Sequence, residues 1–238
     1  MDYLYGYGFY GFDPTYILVI IGALICLLAQ AGVKGTFNRY SKVRSVTGRS
    51  GADTAAAIAS ICHLPVKIQG VSGSLTDHYD PRNKTVNLSQ SVCDQTSVAA
   101  IAVAAHECGH ACQDNEGYGP LRIRHAIVPV ANFGSAAAWP LIILGLFIND
   151  NTGSIFITLG IWAFFLSVLF QIVTLPVEFN ASRRALEIIR SNNLLPEDEL
   201  EGAKKVLRAA ALTYVASAAA SILQLLRLVL LFGRRSND

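Results

Sequence analysis

Four stretches of this sequence are apolar over roughly the 20 residues a helix needs to cross a bilayer. They are 16–33 (YILVIIGALICLLAQAGV), 127–148 (IVPVANFGSAAAWPLIILGLFI), 154–175 (SIFITLGIWAFFLSVLFQIVTL) and 209–232 (AAALTYVASAAASILQLLRLVLLF). In hydrocarbon every backbone N–H and C=O must be bonded within the spanning structure, so such segments fold as helices. The composition agrees. The chain is 52% hydrophobic and only 15% charged, against about 25% charged in ordinary soluble domains. The expected fold is a mainly α membrane protein of about four transmembrane helices. The fourth segment contains Arg227, which is costly in lipid unless it pairs or snorkels. That segment therefore spans the membrane or lies partly at its interface.

Basic residues set the expected orientation. Residues 1–15 and 149–153 carry no Lys or Arg, whereas 34–126 carry ten and 176–208 carry six. The positive-inside rule places the two basic segments in the cytoplasm. Residues 1–15, rich in Tyr, Phe and Gly, then form an extracytoplasmic aromatic tail without a basic signal-peptide start. Arg234 and Arg235 oppose this orientation, but two residues stand against sixteen. The net charge of +2 and the absence of a basic run argue against a nucleic-acid partner.

The cytoplasmic segment 34–126 predicts a small α+β catalytic domain, and 176–208 adds further cytoplasmic helices. A short helix is expected from about Gly51 to Cys62. VKIQGV, GSLTDHYD and KTVNLS read as strands of a short antiparallel sheet, with DPRN as the turn between the last two. Asp94, Thr96 or Ser97 can cap the next helix, from about Ser97 to Asp114, and Gly117, Gly119 and Pro120 end it. The five cysteines are odd in number and contain no Cys-x-x-Cys pair. They predict neither a disulfide framework nor a thiolate metal cluster. Cys108 and Cys112 share a helix face and read as small packing residues.

That last helix carries His106-Glu107-Cys108-Gly109-His110. Residues i and i+4 share one face of a helix, so His106 and His110 can point at one ion. Glu107 lies about 100° around and can reach a water beside that ion, as a general base must. Gly109 within the motif permits close approach of a neighbouring backbone. The bland alternative is a pair of hydrogen-bonded histidines on a buried helix.

Catalytic zinc takes three protein ligands and keeps one position open. No third histidine follows at the metzincin spacing, and the position six after His110 is Glu116. His63, His78 and His125 remain, together with the acidic residues. Glu178, after Pro176 at the end of the third apolar segment, is the favoured ligand, with its helix opening there. The alternative is a first-turn glutamate that complements a helix dipole.

Several stretches closely resemble the YugP-like neutral zinc metallopeptidases, a family of bacterial membrane proteins. They include FDPTYILVIIG, LTDHYDPRNKTVNLS, SVAAIAVAAHECGHACQ, GYGPLRIRHAIVPVANFGS and LFQIVTLPVEFNASRRAL. The resemblance covers nearly the whole chain. It implies a gluzincin-type, zincin-like catalytic domain related to HtpX-type proteases and CAAX-prenyl endopeptidases. It further implies one Zn2+ per chain held by His106, His110 and Glu178, with Glu107 as catalytic base, in the bacterial inner (plasma) membrane. Wider gluzincins often carry Asp four residues after the ligand Glu. Here that position is Ser182, with Asn180 nearby, and either can hydrogen-bond a zinc histidine.

The expected activity is peptide-bond hydrolysis at the cytoplasmic membrane surface by zinc-activated water with Glu107 as base. His78, Tyr79, Arg183 and Arg184 are candidate oxyanion donors. KTVNLS is the expected edge for a peptide or membrane-protein substrate added as a strand. One rival is a non-hydrolytic zinc-binding membrane scaffold. Another is a metal carrier or channel, which the scarcity of polar residues within the apolar segments disfavours.

Overall fold

Helix dominates the computed structural model, which describes residues 13–148 and 150–233. The order is α1 (Tyr16–Tyr40), α2 (Gly51–Ile61), β1 (Lys67–Val71), β2 (His78–Asp80), β3 (Thr85–Ser89), α3 (Val98–Asn115), α4 (Gly119–Phe147), α5 (Asn151–Ser191) and α6 (Glu197–Phe232). Helices α1, α4, α5 and α6 are each long and apolar enough to cross a membrane. Their large apolar side chains also face outward: Leu28 is 73% exposed, Phe133 75% and Trp162 62%. Water would penalise that surface and lipid would not. The aromatic tail expected over residues 1–15 lies almost wholly outside the described residues, as do Arg234 and Arg235.

The chain divides into two compact units. The first gathers the described residues up to Leu27, Val130–Leu169 and those from Ala216 onward. Among the described residues its regular elements are all helices. Arg227 is 8% exposed there, yet it has partners. Its Nη2 lies 3.6 Å from Asp13 Oδ2, and its guanidinium stands 4.1 Å from the centre of the Tyr16 ring.

The second unit, Leu28–Pro129 with Phe170–Val215, holds the sheet and the His-Glu-x-x-His helix. Local chemistry explains its element boundaries. Ser50 caps α2 in a capping box: its Oγ accepts from Asp53 N at 3.0 Å, and Asp53 Oδ2 accepts from Ser50 N at 3.0 Å. Of the three caps the sequence offers for α3, Ser97 serves, accepting from Ala100 N at 3.2 Å. The core packs Ile58 of α2 and Val86 and Leu88 of β3 against Ile101, Ala104 and Cys108 of α3, with Ile189 of α5 and Leu207 of α6. Small residues on α3 let neighbours approach on several sides. Cys108 and Cys112 are buried and unbridged, as packing residues are.

The sheet departs from the antiparallel expectation. Its order is β1-β3-β2: β2 pairs antiparallel with β3, but β1 pairs parallel with it, Ile68 opposite Val86. The Pro81–Lys84 turn builds only the β2–β3 hairpin. Residues 72–77 carry the chain past the end of β3, where Asp77 accepts from both Ser89 N (2.7 Å) and Ser89 Oγ (2.9 Å). β3 is the one strand buried along its whole length, so it takes the middle. KTVNLS therefore offers no free edge; β1 and β2 are the outer strands.

A second departure concerns α5, which does not begin near Glu178. It runs unbroken through Pro176, which removes one N–H from the ladder without ending the helix. Glu178 thus sits deep within a helix, and the first-turn dipole reading has no helix start to act on.

Candidate metal centre

The geometry of the site follows from the crossing of α3 and α5. At Gly109 a Cβ would stand 2.5 Å from the Ala181 carbonyl oxygen, so only glycine allows the two backbones so close. His110 follows Gly109 directly, His106 lies about one turn before it, and Glu178 lies about one turn before Ala181, so the crossing brings both imidazoles against the carboxylate. Glu178 Oε2 lies 3.4 Å from His106 Nε2 and 3.5 Å from His110 Nε2. The three donor atoms fall within 4.8 Å of one another, an arrangement able to hold a metal ion. The imidazoles meet edge-on, with centroids 4.8 Å apart.

Hydrogen bonds at the far nitrogens orient both rings. His110 Nδ1 is 3.0 Å from Gln113 Oε1. The Gln113 amide nitrogen donates to Val177 O at 2.8 Å and to Asn180 Oδ1 at 2.9 Å, so its oxygen is left as an acceptor. His110 must then donate from Nδ1, and its Nε2 lone pair points toward Glu178. His106 Nδ1 stands 3.2 Å from Ser182 Oγ, which can accept in the same way. Asn180 does not touch a histidine. It links Gln113 to Arg184, whose Nε donates to Asn180 Oδ1 at 2.7 Å and whose Nη1 pairs with Glu116 at 2.6 Å.

Charge is concentrated at Glu178. Burial pushes its carboxyl up, but attraction from the two histidines holds it well below the usual carboxylate range. Burial pushes His110 down, and Glu178 more than reverses this. Arg124 of α4 lies 3.6 Å from Glu178 Oε1, the oxygen turned away from the histidines. Glu107 is 7% exposed. It lines a polar cavity of about 120 Å³ with His106, His110, Glu178, Arg124 and Tyr214.

The remaining candidates are placed as follows. His78 lines this cavity, but its Nδ1 donates to Thr76 O at 2.9 Å, and Asn87 Nδ2 stands 3.2 Å from its Nε2. Tyr79 also lines it, and its hydroxyl donates to Asp114 at 2.7 Å. Arg183 is exposed and pairs with Glu187. Gln113, Arg124 and Tyr214 went unnoticed in the sequence. Only Gln113, three residues after His110 on the same helix, carried a signal that could have found it. A larger groove, about 650 Å³ between α5 and α6, contains none of His106, Glu107, His110 or Glu178. Size alone would have misplaced the chemistry.

Fold and site together define a class: a helical protein with four helices fit to cross a membrane and a His–His–Glu cluster of the kind that holds zinc. Within that class, residues 15–233 match the family described as "Putative neutral zinc metallopeptidase", and the chain belongs to it. It is also 49% identical over 226 residues to the Bacillus subtilis (strain 168) protein named "Putative membrane protease YugP". That match covers 93% of this chain and 99% of the relative. No solved structure matches the chain.

Proposed function

We propose that this protein is a gluzincin-type zinc metalloendopeptidase of the bacterial inner membrane, hydrolysing peptide bonds at the cytoplasmic membrane surface. One observation carries the reading: His106 Nε2, His110 Nε2 and Glu178 Oε2 converge from two helices, and Glu107 lines the same cavity. The donor set fits zinc. Glu178 Oε2 is buried with no hydrogen-bond partner among the described residues. Both histidines have their Nδ1 engaged and their Nε2 toward that oxygen. One Zn2+ per chain, held by these three atoms, would satisfy all of them. The four apolar helices and the distribution of Lys and Arg support a multi-pass protein with this unit inside.

When bound there, zinc supplies Lewis acidity to water and to the substrate carbonyl. The chain's own residues do the rest. Glu107 takes a proton at its carboxylate and returns it to the departing amine. Gln113 and Ser182 hold the imidazoles in the tautomer that leaves Nε2 free. Arg124 engages Glu178 Oε1 and leaves Oε2 for the metal. His78 has both ring nitrogens committed, and Tyr79, Arg183 and Arg184 have partners elsewhere. We assign the oxyanion donor to Tyr214, which lines the cavity beside Glu107. Substrate adds along β2, the outer strand whose His78 and Tyr79 line that cavity.

The test compares purified wild type, Glu107→Gln and Glu178→Ala. Glu107→Gln should keep zinc and lose hydrolysis of a peptide library, and Glu178→Ala should lose zinc. Zinc bound by the wild type without hydrolysis removable by Glu107→Gln would leave the scaffold reading in its place. Unchanged zinc affinity in Glu178→Ala would remove Glu178 from the ligand set.

A further inference from the structure

A second cavity, of about 220 Å³, adjoins the polar one. The two share Asp77, His106, Glu107 and Tyr214 as walls. The rest of its lining is mostly apolar: Val33 and Phe37 of α1, Val103 of α3, and Leu207 and Ala210 of α6, with Thr213, whose hydroxyl donates to Ala210 O. Leu75, in the loop before β2, lies at its rim and is 45% exposed. Leu75 holds φ of 57°, a left-handed conformation that is unfavourable for a non-glycine residue. An exposed leucine in a costly backbone conformation beside an apolar cavity is suited to covering an apolar group.

We infer that this cavity is the specificity pocket and that it selects substrates with a large, uncharged apolar side chain, such as Phe, Leu or Met, next to the scissile bond. The inference rests on the peptidase reading and deepens it. A peptide bond held in the polar cavity beside Glu107 places one flanking residue at the shared wall. The lining disfavours basic side chains. Its carboxylates are Glu107, which the proposed reaction needs, and Asp77, both of whose oxygens already accept from Ser89. A cation there would have only the catalytic carboxylate to pair with. An apolar side chain would gain by leaving water and would leave no polar group unpaired.

The experiment uses the full-length, zinc-loaded Glu107→Gln protein in detergent micelles. It measures affinity for fluorescent peptides that differ only in one residue flanking the scissile bond: Ala, Leu, Phe, Trp or Lys. The expected result is binding roughly tenfold or more tighter for Phe and Leu than for Ala or Lys. Adding Ala210→Phe, which fills the pocket from α6, should erase that ratio. Val103→Ala, which enlarges it, should extend the preference to Trp, and this variant decides the matter if Ala210→Phe does not fold. Equal affinities across the series would overturn the inference. So would a preference that both variants leave unchanged, or one abolished by added phospholipid vesicles, which would mark a lipid site. Parallel hydrolysis assays on the protein with Glu107 intact separate the two claims. Hydrolysis without side-chain preference sinks the pocket alone, and preferential binding without hydrolysis sinks the peptidase reading alone.

Discussion

Gly109 and Ala181 mark the point where α3 and α5 touch, and a methyl group at 109 would stand 2.5 Å from the Ala181 carbonyl oxygen. His106 and His110 flank this contact on one helix and Glu178 on the other. Gly109→Ala must therefore push the helices apart, and a cluster with contacts of 3.4 and 3.5 Å has little slack. Overpacking of this kind costs roughly 1–3 kcal/mol. Ala is also the better helix former by about 1 kcal/mol, so propensity alone predicts the opposite sign. The expected outcome is a lower melting temperature and weaker zinc binding in a chelator competition. Wild-type affinity and stability in Gly109→Ala would show that the site does not need this approach.

Gln113 determines which nitrogen of His110 carries the proton. Gln113→Leu removes the acceptor at His110 Nδ1 and leaves Asn180 without one of its donors. Partners of this kind typically contribute 10–100-fold in metal affinity. Gln113→Leu should fall in that range, whereas Gln113→Glu, which keeps the acceptor at His110 but turns a carboxylate oxygen toward Val177 O and Asn180 Oδ1, should lose less zinc affinity than Gln113→Leu while lowering the melting temperature. Equal losses in the two variants would show that packing at this position matters and the acceptor does not.

What the sequence revealed and what it hid divide along the range of the interactions. The four apolar helices were legible because length and composition are properties of each segment alone. A cap for α3 was legible as one of three neighbouring residues, of which Ser97 serves through Ala100 three residues on. The β2–β3 hairpin was legible from its turn, but the place of β1 was not, since nothing local specifies which side of β3 a strand joins. Pro176 misled: a proline at the end of an apolar run looks like a boundary, yet a long helix absorbs one missing bond. Glu178 stood out despite that error, and the crossing of α3 and α5 brings it to His106 and His110. Arg124 and Tyr214 were beyond reach, since each enters the cavity only through the packing of α4 and α6.

Tyr214 faces both the polar and the apolar cavity beside Glu107. If its hydroxyl supports the developing oxyanion, Tyr214→Phe removes a donor used only in the transition state. Losing one such donor costs about 10²–10³ in kcat. KM and zinc content should change little, because the ring and the metal ligands remain. A purely packing role would leave kcat near wild type, and a ligand role would lower zinc content. Steady-state kinetics with metal analysis distinguishes the three.

Asp114 near the end of α3 accepts hydrogen bonds from Lys84 and Tyr79. Burial raises its carboxyl, but these partners outweigh burial and hold it below the ordinary range. A carboxylate depressed in the folded state stabilises above its unfolded value of about 4, and that stability is lost as pH falls through the folded value. Metal-free wild type should thus lose melting temperature between about pH 5 and pH 3 more steeply than Asp114→Asn. Parallel curves over that window would show that other carboxylates carry the acid sensitivity.

Asp13 and Arg227 form the ion pair of the helical unit, 3.6 Å apart, with Arg227 also over the Tyr16 ring. Asp13 is fixed as well by Thr15, whose N and Oγ1 donate to it at 3.0 and 2.6 Å. Breaking such a pair from one side strands a charge, whereas removing both partners does not. Asp13→Ala should lower the melting temperature, by less than breaking a fully buried pair would, since Asp13 keeps access to solvent. Arg227→Met should cost less. The decisive comparison is the double variant, which should be more stable than Asp13→Ala alone because the orphaned guanidinium is gone. Thermal unfolding in lipid nanodiscs measures all three, and a double variant no more stable than Asp13→Ala would mean that Arg227 finds sufficient partners without the aspartate.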